Sequence, residues 1–395
     1  MKFVICLTEL AGFTSYTGGV GRRYAATIPE LARQGHDVTV VLVADSAIVS
    51  APAEIDGVTV VVNTDLVRLP WRLRSLPRVL LFRRILSRIE AENVYVPEWL
   101  GSCSFAPRNV NLVTNLVASL GLITEIAGPD AVARRSALKS WLDRFQIWCE
   151  DRQIRRSMAV IACSSAILDW NSKRFAGKLP DGRVVANCIN VERASGIART
   201  AQVPHLWPTG PGPVVVFAGR VQLIKGIDVA MSAFRDVAAQ FEDARFVIAG
   251  GEGDTTIDPS LEQLQSELDP SLRDRTVFLG QIDEESLYAC MREATVVVCP
   301  SRWEAFGNIA LEVRASGGVL IATTGSGFSE SCDDMVDSLL VEPGNPEALA
   351  AAIIRVVSDA TLRARLLEDG RRRVDDFTAS TTAARLSLQL ESIWN

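Results

Sequence analysis

Short apolar runs separated by amphipathic stretches set the rhythm of this chain, and the rhythm occurs twice. In the first half the order is an apolar run Lys2 to Leu7, a glycine loop Gly18-Gly19-Val20-Gly21, an amphipathic stretch Arg22 to Gln34 stopped by Gly35, and a second apolar run Val38 to Val43. In the second half Val214 to Ala218, the Lys225-Gly226 turn, Ile227 to Gln240 and Arg245 to Ala249 repeat it. Strands alternating with helices predict parallel sheets with helices on both faces. Further strands are expected at Val58 to Val62, Val110 to Thr114, Ala159 to Cys163 and Val184 to Ala186, then at Thr276 to Leu279, Thr295 to Cys299, Val319 to Ala322 and Leu339 to Val341. The expected class is α/β, with two doubly wound parallel-sheet domains. Glu192 to Pro213 carries four prolines, three glycines and no apolar period, and reads as the linker between them. Two helices, Ala360 to Val374 and Ala379 to Trp394, follow the last strand and should pack on the outside.

Composition agrees with this reading. A chain of 395 residues, 48% apolar and 22% charged, supplies two cores of ordinary size, and two domains imply a cleft. No apolar run approaches the roughly 18 residues of a membrane span. Glu9 interrupts the N-terminal apolar stretch, which therefore reads as a strand instead of a signal peptide, and the expected location is cytoplasmic. Eight cysteines without a CxxC pair suggest buried free thiols. With His36 and His205 as the only histidines, an imidazole metal site is not expected, nor is any metal cofactor. Charge is divided unevenly, 25 Lys/Arg against 18 Asp/Glu in residues 1–200 and 16 against 29 in 201–395. The basic half is the candidate for anionic ligands or a membrane surface. No nucleic-acid partner is expected.

Several motifs carry chemistry, each with a plainer rival. Gly18-Gly19-Val20-Gly21 follows a strand and opens a helix, where backbone N–H groups can hold a phosphate, although a tight turn needing positive φ would look the same. Ile248-Ala249-Gly250-Gly251-Glu252-Gly253 is a similar loop after a strand. Arg220 and Lys225 follow the first strand of the second half, where open α/β sheets bind ligands; a planar fork and a point charge together suit a diphosphate, and a solvated loop is the alternative. In Pro300 to Glu312, Ser301 and Glu304 have capping-box spacing, yet Gly307 favours a loop through Phe306 and a helix from about Asn308 to Ala315. Glu304 and Glu312 could then reach different parts of one ligand. Gly325 to Glu330 is a further small-residue loop. Trp71 to Arg88 holds six arginines and no acid; Val79, Leu80, Phe82, Ile85, Leu86 and Ile89 can line one face of an interfacial helix on anionic lipid, or of a helix packed on its own sheet.

In sequence these motifs run GGVG, FAGR…KG, IAGGEG, FLG, PSRWEAFGNIALE and TTGSGFSE, an order that resembles the GT-B glycosyltransferases of family 4. The resemblance implies two Rossmann-like domains facing across a cleft: residues 1–200 on the acceptor side, 201–375 binding the donor nucleotide, and a helix in 376–395 returning to the first. It implies a retaining, metal-independent transfer of sugar from a UDP- or GDP-sugar to a hydroxyl of unknown identity, on a small molecule, a glycan or a lipid carrier. Arg220 and Lys225 match the residues that neutralise the diphosphate, Glu304 the one that meets the sugar, and Glu312 the one that holds the ribose. Phe306, Gly307 and Asn308 match backbone positions near sugar and phosphate. Gly18 and Gly19 match the loop that approaches from the other domain, Gly251 a donor-side loop, and Gln281 with Ile282 the place of the base. Many relatives carry a histidine after a middle strand of the first domain; here Thr114 to Ser119 has none, leaving Asn115 or Ser119 for that role. A sugar-nucleotide epimerase and a non-catalytic nucleotide-sugar binder remain alternatives.

Overall fold

The computed structural model describes residues 1–395 apart from 51–53, 56, 71–72, 134–135, 254 and 256–257. Trp71 and Arg72 of the arginine-rich stretch thus lie outside the described residues. The chain divides into two compact units, Met1–Cys188 with Ala379–Asn395, and Ile189–Thr378.

The first unit holds strands β1 (Lys2–Leu7), β2 (Asp37–Val43), β3 (Glu54–Ile55), β4 (Val58–Asn63), β5 (Asn93–Pro97), β6 (Asn111–Leu116), β7 (Ala159–Ala162) and β8 (Asp181–Val184). They form one sheet in the order β3-β4-β2-β1-β5-β6-β7-β8, parallel except for the two-residue edge strand β3. Because side chains alternate along a strand, β1 serves two cores. Phe3, Ile5 and Leu7 pack with Tyr24, Ile28 and Leu31 of helix Gly19–Arg33 and with Ala383, Leu386 and Leu390 of helix Ala379–Trp394. Val4 and Cys6 pack on the other face with Phe82 and Leu86 of helix Ser75–Arg88. The last helix is thus built into the core of the first unit. Burial of Val79, Phe82 and Leu86 also answers the interfacial reading of residues 71–88: most of the face suggested for lipid is turned onto the sheet.

The second unit holds β9 (Val214–Ala218), β10 (Arg245–Ala249), β11 (Thr276–Gly280), β12 (Val296–Cys299), β13 (Leu320–Thr323) and β14 (Leu339–Val341) in the order β11-β10-β9-β12-β13-β14. All its pairings are parallel. Val215, Phe217, Phe246 and Ile248 meet Ile227, Phe234, Ile353 and Val356 in one core, each such buried side chain contributing ~1.5–3 kcal/mol. The strand order reverses between β9 and β12, and in an open α/β sheet that switch point opens a crevice at the strands' carboxyl ends.

The expected linker is shorter than its composition suggested. Val191–Thr200 is a helix, capped by the Asn190 side chain on the Arg193 N–H, and belongs to the second unit. Arg193 pairs with Glu284, and Arg292 donates to the carbonyls of Ala198 and Ala201. Its buried face is Ala194 and Ala198, residues too small to give a visible apolar period. The division between units falls at Ile189 instead of residue 200 for the same reason.

A buried ion pair fixes the helix that follows β12. Arg314 on helix Asn308–Ser316 meets Asp337 at 2.9 Å, with both side chains 1% exposed, and also donates to the Ser331 carbonyl. Removing one partner strands a buried charge. Arg314→Ala is expected to cost ~3–5 kcal/mol, read as a lowered urea midpoint for the second unit's transition.

Candidate functional site

The candidate residues of the second unit gather on loops at the carboxyl ends of β9 to β13. After β9, Gly219 N–H donates to Ala249 at 3.1 Å and Val221 N–H to Gly251 at 2.9 Å, tying this loop to the glycine loop after β10. A short 3-10 turn, Leu223–Lys225, ends at Gly226 with φ 73°. A Cβ there would lie 2.0 Å from the Pro300 carbonyl oxygen, so only glycine lets the β9 and β12 loops touch. Arg302 completes the seam. Its N–H donates to Ile224 at 2.8 Å, and its guanidinium grips Asp228 at 2.7 and 2.6 Å. Asp258 accepts from Leu223 N–H at 2.9 Å and Gln222 Nε2 at 3.1 Å.

Lys225 is thereby placed over Glu304. Nζ lies 2.6 Å from Oε1, and the Ser301 hydroxyl donates to the same oxygen at 2.8 Å. Glu304 is buried and Lys225 half-buried. Arg220, on the same loop as Lys225, is exposed and makes no hydrogen bond or ion pair among the described residues. Cys299 belongs to this locality but is not a nucleophile: burial, reinforced by the Glu304 carboxylate, pushes its thiol well above its ordinary value.

No helix begins at Arg302, so the Ser301–Glu304 spacing is not a capping box; the hydroxyl serves the side chain instead. The helix starts at Asn308 after Gly307 at φ 83° and carries Glu312 on its second turn, largely buried. Phe306 turns its ring inward against Phe377, 6.0 Å between centroids, which leaves its backbone for the loop. The loop after β13 closes on this segment: Gly327 N–H donates to Glu304 O at 3.0 Å, and a Cβ on Gly327 would lie 2.4 Å from the Ala305 carbonyl. A Cβ on Gly251 would fall 3.2 Å from Gln281 Cβ, which sets Gln281 and Ile282, just past β11, beside the β10 loop. Sequence reasoning read Ser301 only as a capping-box residue and passed over Asp228 and Asp258, whose short polar side chains give no pattern until the loops are folded.

In the first unit, the Gly18–Gly21 loop holds an anion from its own chain. Glu9 accepts from Gly18 N–H at 3.0 Å and Gly21 N–H at 2.8 Å, at the positive end of helix Gly19–Arg33. Gly19 is the first residue of that helix. Asn115 is buried and fully engaged: Oδ1 accepts from Arg23 at 2.7 Å and Tyr24 at 3.1 Å, and Nδ2 donates to Ile161 O at 2.8 Å. Ser119 Oγ accepts from Leu122 N–H at 3.1 Å. Asn115 therefore has no free polar atom for the role of the missing histidine. The segment after β6 is instead pinned by two buried carboxylates, Glu98 on Val117 N–H at 3.0 Å and Glu150 on Leu120 N–H at 2.9 Å. Burial pushes Glu98 well up and Glu150 up to about 7. Among the described residues no three His, Cys, Asp or Glu come together as a metal site.

Two family profiles match, "Glycosyl transferase 4-like domain" over residues 18–188 and "Glycosyl transferases group 1" over 212–359. The chain is a GT-B glycosyltransferase of this group 1, GT4-like family. The glycosyltransferase is 25% identical to the alpha-D-kanosaminyltransferase of Streptomyces kanamyceticus over 305 residues, 76% of this chain and 75% of that one. It spans about half the length of other curated relatives. Its fold is shared with sucrose-phosphate synthase from Thermosynechococcus elongatus, at TM-score 0.76 and 22% identity over 99% of both chains. It is shared too with Anabaena HepE, solved in complex with UDP, at TM-score 0.67 and 18% identity over 99% of this chain and 100% of that one.

The seam at Gly226 can be tested directly in the glycosyltransferase. Gly226→Ala adds a positive-φ penalty of ~1 kcal/mol or more to the contact with the Pro300 carbonyl. A melting temperature lowered by several degrees is expected, and an unchanged one would show that the loops can part freely.

Proposed function

We propose that this glycosyltransferase moves a sugar from a nucleoside-diphosphate donor, UDP or GDP, to an acceptor hydroxyl, with retention and without a metal ion. The carrying observation is the Lys225–Glu304 pair with exposed Arg220 at the switch point of the second sheet. A diphosphate entering there takes Lys225 from Glu304 and gains the Arg220 fork, exchanging an internal ion pair for charge-assisted bonds to the ligand. Glu304, released, faces the donor sugar. Glu312 accepts from the ribose hydroxyls, Gln281 and Ile282 border the base, and the loops at Gly251 and Gly307-Asn308 close on phosphate and sugar. The UDP bound by Anabaena HepE supports a nucleotide of this kind.

As the bond from the anomeric carbon to the phosphate oxygen breaks, negative charge grows on the leaving diphosphate, and fixed cations stabilise it without reorganising. The acceptor oxygen bonds to the same carbon from the leaving-group side, and its proton passes to a phosphate oxygen. Lys225 and Arg220 supply the positive charge that a metal would otherwise provide. Eight buried thiols among the described residues suit a reducing compartment, and we place the reaction in the cytoplasm.

Arg220→Ala combined with Lys225→Ala is expected to lower turnover at least ~100-fold with an unchanged circular-dichroism spectrum, followed by mass spectrometry across UDP- and GDP-sugars and an acceptor panel. Turnover near wild type would sink the diphosphate assignment. For Glu312→Ala, calorimetry with UDP and GDP should show ~10-fold or greater weakening of the nucleotide that the wild type prefers; equal affinity would refute the ribose contact.

A further inference from the structure

Helix Ala137–Arg156 of the first unit shows solvent a face that a purely structural helix would not. Cys149, Glu150, Gln153 and Ile154 face inward. On the outer side Leu138, Trp141, Phe145 and Trp148 recur at intervals of three and four, one stripe along the helix. Trp141 is 57% and Trp148 46% exposed. The rings form a ladder: Trp141 to Phe145 6.1 Å with planes 8° apart, Phe145 to Trp148 6.1 Å, and Trp148 to Phe105 5.8 Å. The stacking holds these rings in place without hiding them from water.

The fully exposed charges of this helix have one sign, its acids Asp143, Glu150 and Asp151 being half-buried or buried. Arg144, Arg152 and Arg155 are the exposed charged residues of this helix, whereas Glu150 is buried and Asp151 is paired with Arg174 at 2.8 Å. Arg152 lies over the rings of Phe105, at 5.1 Å, and Trp148, at 5.7 Å. Arg83 of helix Ser75–Arg88 donates to the Phe105 carbonyl at 3.3 Å, continuing the basic surface to exposed Arg84 and Arg88. Burial, and after it the fields of Arg152, Arg83 and Arg108, push Arg156 below its ordinary value.

We propose that Leu138, Trp141, Phe145 and Trp148, bordered by Arg144, Arg152 and Arg155, dock this protein on a bilayer containing anionic lipid. Indole and phenyl rings settle at the boundary between headgroups and acyl chains, and arginine stems lie along apolar surface while their guanidinium groups reach phosphate. Charge decides between this occupant and a second copy of the chain. Two such faces brought together by a twofold axis would set arginines against arginines, which disfavours self-pairing, whereas an anionic surface complements them. The membrane contact is thereby moved from the Val79, Phe82 and Leu86 side of residues 71–88, which is buried, to the outer face of the neighbouring helix. It does not depend on the donor assignment.

The test is co-sedimentation of the full chain with vesicles of phosphatidylcholine and phosphatidylglycerol, 7:3, at ~0.1 M NaCl, beside pure phosphatidylcholine. The wild type is expected to bind the mixed vesicles, to bind the neutral ones at least ~10-fold more weakly, and to come off as salt rises. Trp141→Ala with Trp148→Ala should weaken binding ~10-fold or more, and Arg144→Glu ~5-fold or more, each with wild-type melting temperature. Failure of the wild type to sediment, equal binding of the variants, or equal binding to neutral vesicles overturns the proposal. So does light scattering that shows a dimer which the double tryptophan variant dissolves, since a second copy would then cover the face.

Discussion

An ammonium group 2.6 Å from a largely buried carboxylate organises the second unit's ligand end. Lys225 comes from the loop after β9 and Glu304 from the loop after β12, the two strands on either side of the point where the strand order reverses. Neither charge could be held there alone at small cost, because a lone partly buried ion loses hydration that nothing restores. Paired, and with Ser301 donating to the same oxygen, they keep both loops in a geometry that would otherwise drift. The pair also sets terms for a ligand. An anion must compete with a carboxylate already in place, so weakly charged or singly contacting molecules gain little; on the proposed reading, a diphosphate engaging Lys225 and Arg220 together would have the advantage. On the proposed reading, product release would let Glu304 recapture the lysine.

Much of this was legible in the chain and some was not, for physical reasons. β9, β10 and β14 stand at the residues that apolar runs predict, since buried parallel strands need little but β-branched and aromatic side chains. Gly307 marked the helix start at Asn308 because a glycine early in a helix is costly and at the cap is not. β5 was missed, although it lies between β1 and β6 near the middle of the first sheet: Asn93–Pro97 begins on an asparagine and ends on a proline, both depleted in strands. Helix Val191–Thr200 hid among prolines and small residues. Ser301 gave only a capping-box spacing that the fold puts to another use, and the carboxylates of Asp228, Asp258 and Glu9 gave no sign of their contacts, because each acts on a backbone or side chain whose position exists only after folding.

The first unit solves its electrostatics differently. Arg23 is buried and is met by the Asn115 oxygen and the Tyr24 ring where a carboxylate would be usual, while Glu98 and Glu150 are buried on backbone N–H groups. Dipoles hold the arginine, and burial shifts both acids toward their uncharged form. The surplus of arginine in residues 1–200 is largely an outer feature, concentrated beside exposed rings, and its contrast with the acidic second unit is a contrast of surfaces. The net charge of either half says nothing of what its ligand loops carry: the acidic unit presents Lys225 and Arg220.

Gly226, Gly250 and Gly327 share a property that reaches beyond this one molecule. At each, the space a side chain would enter is filled by main chain: the carbonyl of Pro300, of Gly219 at 1.8 Å, and of Ala305. No rotamer change by a neighbour can make room, so none of the other nineteen amino acids fits without moving a loop. Drift at these positions is closed unless a loop moves with it. A new donor preference would therefore arise by exchanging what the loops display, with the path of the loops inherited unchanged.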